Sequence, residues 1–183
     1  MRNVSKPIGA ALAAVLAVGA TMTAAEAAER AQPADGKRVM TPEEEIQKSS
    51  LPAATKAERK LLLHPGDRRT RLEAARAHLA AGADKPENVD AAQTHALAVL
   101  AENPQDVESL LLAGQTSLLK NDPQSAARYY RTVTLVAPDN SAAFLGLGDA
   151  LTRLRDEPGA NAAFARYRSL KGMLPLQAAE TAK

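Results

Sequence analysis

A period of 34 residues runs through the second half of the chain. Pro104 and Pro138 are 34 apart, as are Leu110 and Phe144, Gly114 and Gly148, Ala126 and Ala160, and Tyr130 and Phe164, while Ala92 and Ala126 carry the interval backward. Chance produces one such pair but not a set in one register. A fixed period of this size means a stack of similar units, each burying an apolar face against its neighbour.

The breakers and the composition say what each unit contains. Apolar spacing predicts helices over 55–63, 68–82, 88–102, 106–120, 123–136, 141–154 and 158–171, separated by "HPGD" at 64, "GADKPEN" at 82, "NPQD" at 103, "NDP" at 121, "APDN" at 137 and "DEPG" at 156. Links this short force consecutive helices into antiparallel hairpins. The hydrophobic share is 45%, yet aromatics are only 3% and Trp is absent, so alanine must fill much of the core. Alanine is the strongest helix former, and β-branched residues are too sparse for a large sheet. The expected class is all-α.

The repeating positions resemble the tetratricopeptide repeat, a helix-turn-helix unit of about 34 residues. Residues 107–140 match through Leu110, Ala113, Gly114, Ser117, Ala126, Tyr130, Val133 and Pro138. Residues 141–174 match through Phe144, Leu147, Gly148, Leu151, Ala160, Phe164 and Tyr167, with the closing proline displaced to Pro175. A weaker unit begins near Arg69, with Leu72, Ala75, Leu79, Ala92, Val99 and Pro104. It carries Arg76 in place of the glycine and a turn about four residues too long. "KAERKLLLHPGD", closed by Pro65, reads as a half-repeat packed on that unit. The fold expectation is therefore an antiparallel helix-hairpin solenoid of about three units with a preceding half-repeat helix, over residues 55–174. Packing inside each hairpin should set Gly114 against Ala126 and Gly148 against Ala160, with Tyr130 and Phe164 filling the adjacent space. Gly146 reads as a helix glycine accommodated near the groove.

The N-terminal segment has a different character. Arg2 and Lys6 precede the apolar run Ile8–Met22, and "AEA" at 25–27 offers a cleavage site, so residues 1–27 read as an export signal. The run is too short and alanine-rich for an anchor. Residues 28–54 read as a flexible polar arm with one short helix started by Thr41, Pro42 and Glu44, and residues 175–183 as a tail. The expected location is periplasmic or secreted. Absence of cysteine excludes disulfides, a lipid-modified N-terminal cysteine and thiolate chemistry.

A net charge of +2, about +1 after loss of Arg2, Lys6 and Glu26, gives no basic footprint for nucleic acid. His64, His78 and His95 form no metal-ligand spacing, and no carboxylate cluster accompanies them in sequence. No hydrolase or phosphoryl-transfer motif is present. The expectation is a non-enzyme with no metal, cofactor or small-molecule substrate, the alternative being a metal-dependent enzyme using His78 and His95. "RRTR" at 68–71 reads as a solvated helix start, or as a basic patch that docks an acidic partner or the headgroups of an anionic membrane.

The resemblance implies a concave peptide-binding groove lined by the first helix of each unit. Here that means Ala77 and Ala80, then Glu108, Leu111, Gln115 and Leu118, then Ala142, Leu145, Asp149 and Thr152. The lysine, arginine and asparagine of the family's carboxylate clamp are missing. The chain is similar to short exported repeat proteins of pilus and secretion-system assembly, the TadD-like group in particular, although those commonly carry a lipidated cysteine. That similarity implies a scaffold or assembly chaperone with a protein partner in the cell envelope; a chaperone of cytochrome c maturation is the alternative. The last helix lacks a polar capping helix, which leaves room for a homodimer through that end.

Overall fold

The computed structural model describes residues 40–172. The stretch 1–27 read as an export signal, the expected arm as far as residue 39 and residues 173–183, which include the expected tail, lie outside the described residues. All regular structure among the described residues is helical.

One helix, α1 (Pro42–Lys48), belongs to a unit ending at Ser50. It forms where the sequence places it: Thr41 accepts from the Glu44 amide at 3.3 Å, the Glu44 carboxylate accepts from the Thr41 amide at 3.1 Å, and Pro42 opens the first turn.

The second unit, from Leu51, is a run of helix hairpins: α2 (Ala53–Leu63), α3 (Arg68–Gly82), α4 (Pro86–Glu102), α5 (Val107–Leu119), α6 (Pro123–Val136), α7 (Ser141–Arg153) and α8 (Glu157–Leu170). Their starts are chemically marked. Asp67, Asp106, Asp122, Asn140 and Asp156 each accept from a backbone amide three residues on, which satisfies one of the donors a helix start leaves unpaired. Two turn types alternate. Between units, Asp67, Asp106 and Asn140 donate their amides to His64, Asn103 and Ala137 at 3.1 Å, each across a turn whose second residue is Pro65, Pro104 or Pro138. Within units, Asn121 and Arg155, again 34 apart, adopt φ of 58° and 60°, and the next amide returns to Ser117 or Leu151 to close the helix.

Alanine makes up more than half of the buried apolar side chains. Leu72, Ala75, Ala92, Ala96 and Val99 of the first hairpin join Leu112 and Ala113 of α5 in one core. Leu110, Val133 and Ala143 make a second, and Ala126, Ala127 and Tyr130 meet Leu147, Ala150, Leu151, Ala160 and Ala163 in a third. Each core links a hairpin to its successor, as a quasi-one-dimensional stack requires.

The helix glycines hold this stack at close range, with the aromatic rings as their nearest neighbours. The atoms nearest a Cβ placed on Gly114 belong to the Tyr130 ring, 2.8 Å away, and at Gly148 they belong to the Phe164 ring, the two aromatics expected beside these glycines. Gly146 is buried, and a Cβ there would stand 2.3 Å from Tyr130 of the preceding unit. Tyr130 thus lies between Gly114 of its own hairpin and Gly146 of the next. In the first hairpin the ring position holds Ala96 and the glycine position holds Arg76. With no ring to receive, that hairpin needs no glycine.

Candidate functional site

The first helices face one another directly. α3 touches α5, and α5 touches α7, whereas the second helices α4, α6 and α8 make no comparable contacts. The stack therefore curves with the first helices on its inner side.

On that side Glu108, Leu111 and Leu118 are half-buried, and so is Ala77. Leu111 and Leu118 pack on the cores that join successive hairpins. Glu108 accepts from Arg68 at 3.3 Å and pairs with Arg76, so its charge is already engaged. Gln115, Leu145, Asp149 and Thr152 remain exposed, Leu145 at 39%. Of the repeat-packing set, Leu110, Gly114, Ala126, Tyr130, Gly148 and Ala160 are buried, Phe144 and Phe164 half-buried, and Pro138 is an exposed turn residue. Burial, together with the negative charge of Asp149, pushes the Tyr130 phenol up to about 12.

The basic stretch is drawn into the fold. Arg68 donates to Asp106 at 2.5 Å and Arg71 to the Pro65 carbonyl at 2.6 Å. Asp106 caps α5 through the Ser109 amide at 2.9 Å and hydroxyl at 2.7 Å. Burial of Asp106 raises its pKa, but the bonds from Arg68 and Ser109 outweigh that and hold it below the usual carboxylate range.

On the opposite side, between α4 and α6, opens a cleft of about 500 Å³ lined by Leu97, Leu100, Pro104, Arg128, Tyr129 and Thr132 among others. Second helices that diverge leave such a gap. A 34-residue period carries no sign of such a gap.

The histidines supply a third feature. His78 of α3 and His95 of α4 stack with centroids 5.8 Å apart and rings inclined by 20°. Both Nε2 atoms reach the same Glu58 oxygen of α2, at 2.7 and 2.8 Å. Sequence spacing does not link this carboxylate to the histidines because Glu58 lies 20 and 37 residues away from them. Partial burial raises the Glu58 pKa, but the two histidine bonds draw it net below its ordinary value, so at neutral pH the carboxylate accepts from Nε2–H of both rings.

No family model and no curated protein matches this sequence. Among solved structures, the crystal structure of MamA, a tetratricopeptide-type protein, superposes with a TM-score of 0.59 at 14% identity, over 65% of this chain and 67% of MamA. The fold is an all-α solenoid of the tetratricopeptide kind.

Proposed function

We propose that this protein is a non-enzymatic scaffold or assembly chaperone of the bacterial cell envelope, exported by its N-terminal signal, that holds a protein segment against the inner side of the stack. The observation carrying this reading is the run of first helices in direct contact, which leaves Gln115, Leu145 and Asp149 on one continuous face unspent in internal packing. A half-apolar, half-polar strip of this kind suits an amphipathic helix or an extended peptide. The coarse role, protein–protein interaction, is supported by the fold shared with MamA; the pilus or secretion setting rests on the similarity drawn from sequence.

The test is photocrosslinking in cells. A photoreactive residue at Gln115 or Leu145 captures the partner, whereas one at Leu97 or Thr132, across the stack, does not. Adducts at Leu97 and Thr132 alone would move the binding face to the cleft. No adduct at any of the four positions, with envelope assembly intact after gene deletion, would remove the scaffold reading. Fractionation with N-terminal sequencing checks export: the mature chain should begin at Ala28.

A further inference from the structure

We propose that Glu58, His78 and His95 form a binding site for one divalent transition-metal ion of the zinc class, which fastens helix α2 to the first hairpin. The ligand set comes first. Two imidazoles and one carboxylate suit zinc and its neighbours, whereas magnesium and calcium take oxygen ligands. The geometry is close to what such an ion needs. One ligand atom from each residue lies within 4.8 Å of the other two, and both Nε2 atoms already point at one carboxylate oxygen. Zinc bonds of about 2.0–2.2 Å in a tetrahedron set ligand atoms about 3.4 Å apart. The observed nitrogen–oxygen distances of 2.7 and 2.8 Å must therefore open by roughly 0.6 Å. A small rotation of the Glu58 carboxylate provides that. The Glu58 side chain is 41% exposed against 16% and 12% for the histidines, so the ion enters from the Glu58 side and keeps a water as its fourth ligand.

Ligation needs each ring protonated on Nδ1 instead of Nε2, a tautomer shift with no net proton change. His78 Nδ1 is buried without a hydrogen-bond partner, so its N–H would lack the acceptor that most ligating histidines have. Lack of such a partner typically weakens binding about 10- to 100-fold, so this site binds more weakly than one whose histidines are both oriented.

The position gives the ion a structural purpose. α2 is a half-repeat whose start has no side-chain cap, and Ala57 is the one residue it buries fully. Lys60 of α2 also pairs with Glu73 of α3 at 2.7 Å. A metal joining α2, α3 and α4 would hold down the end of the stack that packing secures least.

The experiment uses tag-free, chelator-stripped full-length chain and zinc as the probe. Calorimetry should find one zinc per chain, and zinc at about 100 times Kd should raise the melting temperature by about 10 °C. H78Q and H95Q should each weaken binding at least about tenfold, E58Q similarly, and H64Q should change nothing. Retained binding in the H78Q/H95Q double variant, loss on H64Q, or no binding below millimolar zinc would each overturn the proposal. If the double variant does not fold, cobalt decides on the native chain: intense visible bands of a low-coordinate site support the proposal, and the weak spectrum of the hydrated ion overturns it. The outcome is independent of what the inner face binds.

Discussion

Gly146→Ala adds a single methyl group and should destabilise the protein, although glycine-to-alanine changes inside helices normally do the reverse. The added Cβ would lie 2.3 Å from Cζ of Tyr130 and 2.6 Å from both Cε atoms. Ordinary carbon–carbon contact is about 3.6 Å, so the ring must retreat by about 1.3 Å. It has no room on its other side, where Gly114 sits so close that a Cβ there would be 2.8 Å from the same Cζ. Tyr130 is only 6% exposed, so it cannot swing into solvent without emptying the core. Overpacking of this kind costs about 1–3 kcal/mol, and the better helix propensity of alanine returns about 1. The net expectation is a loss of up to about 2 kcal/mol, or roughly 5 °C in melting temperature. The decisive measurement is a double-mutant cycle by urea denaturation with Tyr130→Leu. Leucine has none of the three ring atoms that the new methyl meets, so Gly146→Ala in that background should stabilise by about 1 kcal/mol. A change of sign between the two backgrounds is the signature of the wedge. Equal stabilisation in both would show that the ring yields freely and that the glycine serves no packing purpose.

Other positions give contrasting outcomes. Gly148→Ala should cost less than Gly146→Ala, because its obstacle, Phe164, is half-buried on the last helix and can move outward; matched melting curves compare the two. Arg155→Gly should stabilise by about 0.5–1 kcal/mol, since Arg155 holds φ at 60° where a side chain is strained. Asp106→Ala should cost about 2 kcal/mol, combining a lost helix cap with a broken pair to Arg68. Because the folded Asp106 pKa is lowered, its stabilisation is complete above the usual carboxylate range and is lost as pH falls below that range through the folded pKa; Asp106→Asn should flatten the acid limb of a stability–pH curve. Leu145→Glu should leave the melting temperature nearly unchanged while Leu111→Glu lowers it, because Leu145 is exposed and Leu111 packs on two cores. Only Leu145→Glu therefore tests binding cleanly.

The helices were legible in sequence to within two residues because their ends are fixed by local chemistry. A proline, an N-cap aspartate and a left-handed turn residue act over three or four residues, which is the range a single sequence displays. The hairpin register was legible for a related reason: a period of 34 puts equivalent residues in equivalent places. What the period could not show is which side chain crosses from one unit to the next. Tyr130 reaches Gly146 of the following hairpin as well as Gly114 of its own, whereas reading each hairpin alone placed the ring beside Gly114 and left Gly146 as a helix glycine near the groove. The cleft between α4 and α6 escaped for the same reason, since it is a gap between units.

The Glu58–His78–His95 cluster was beyond reach in another way: its members lie on three helices and repeat nowhere. Yet the first unit had already separated itself from the others. It carries Arg76 where its successors have glycine, Ala96 where they have Tyr130 and Phe164, and a longer turn after Gly82. A residue that recurs at every period is held by packing on both neighbours, so its identity reports the stack. One that breaks the period at the end of a stack has a neighbour of another kind. Here Arg76 answers to Glu108 across the first helices, and the two histidines answer to Glu58 on the half-repeat. In a chain built this way, departures from the repeat are where the sequence carries information that packing does not already require.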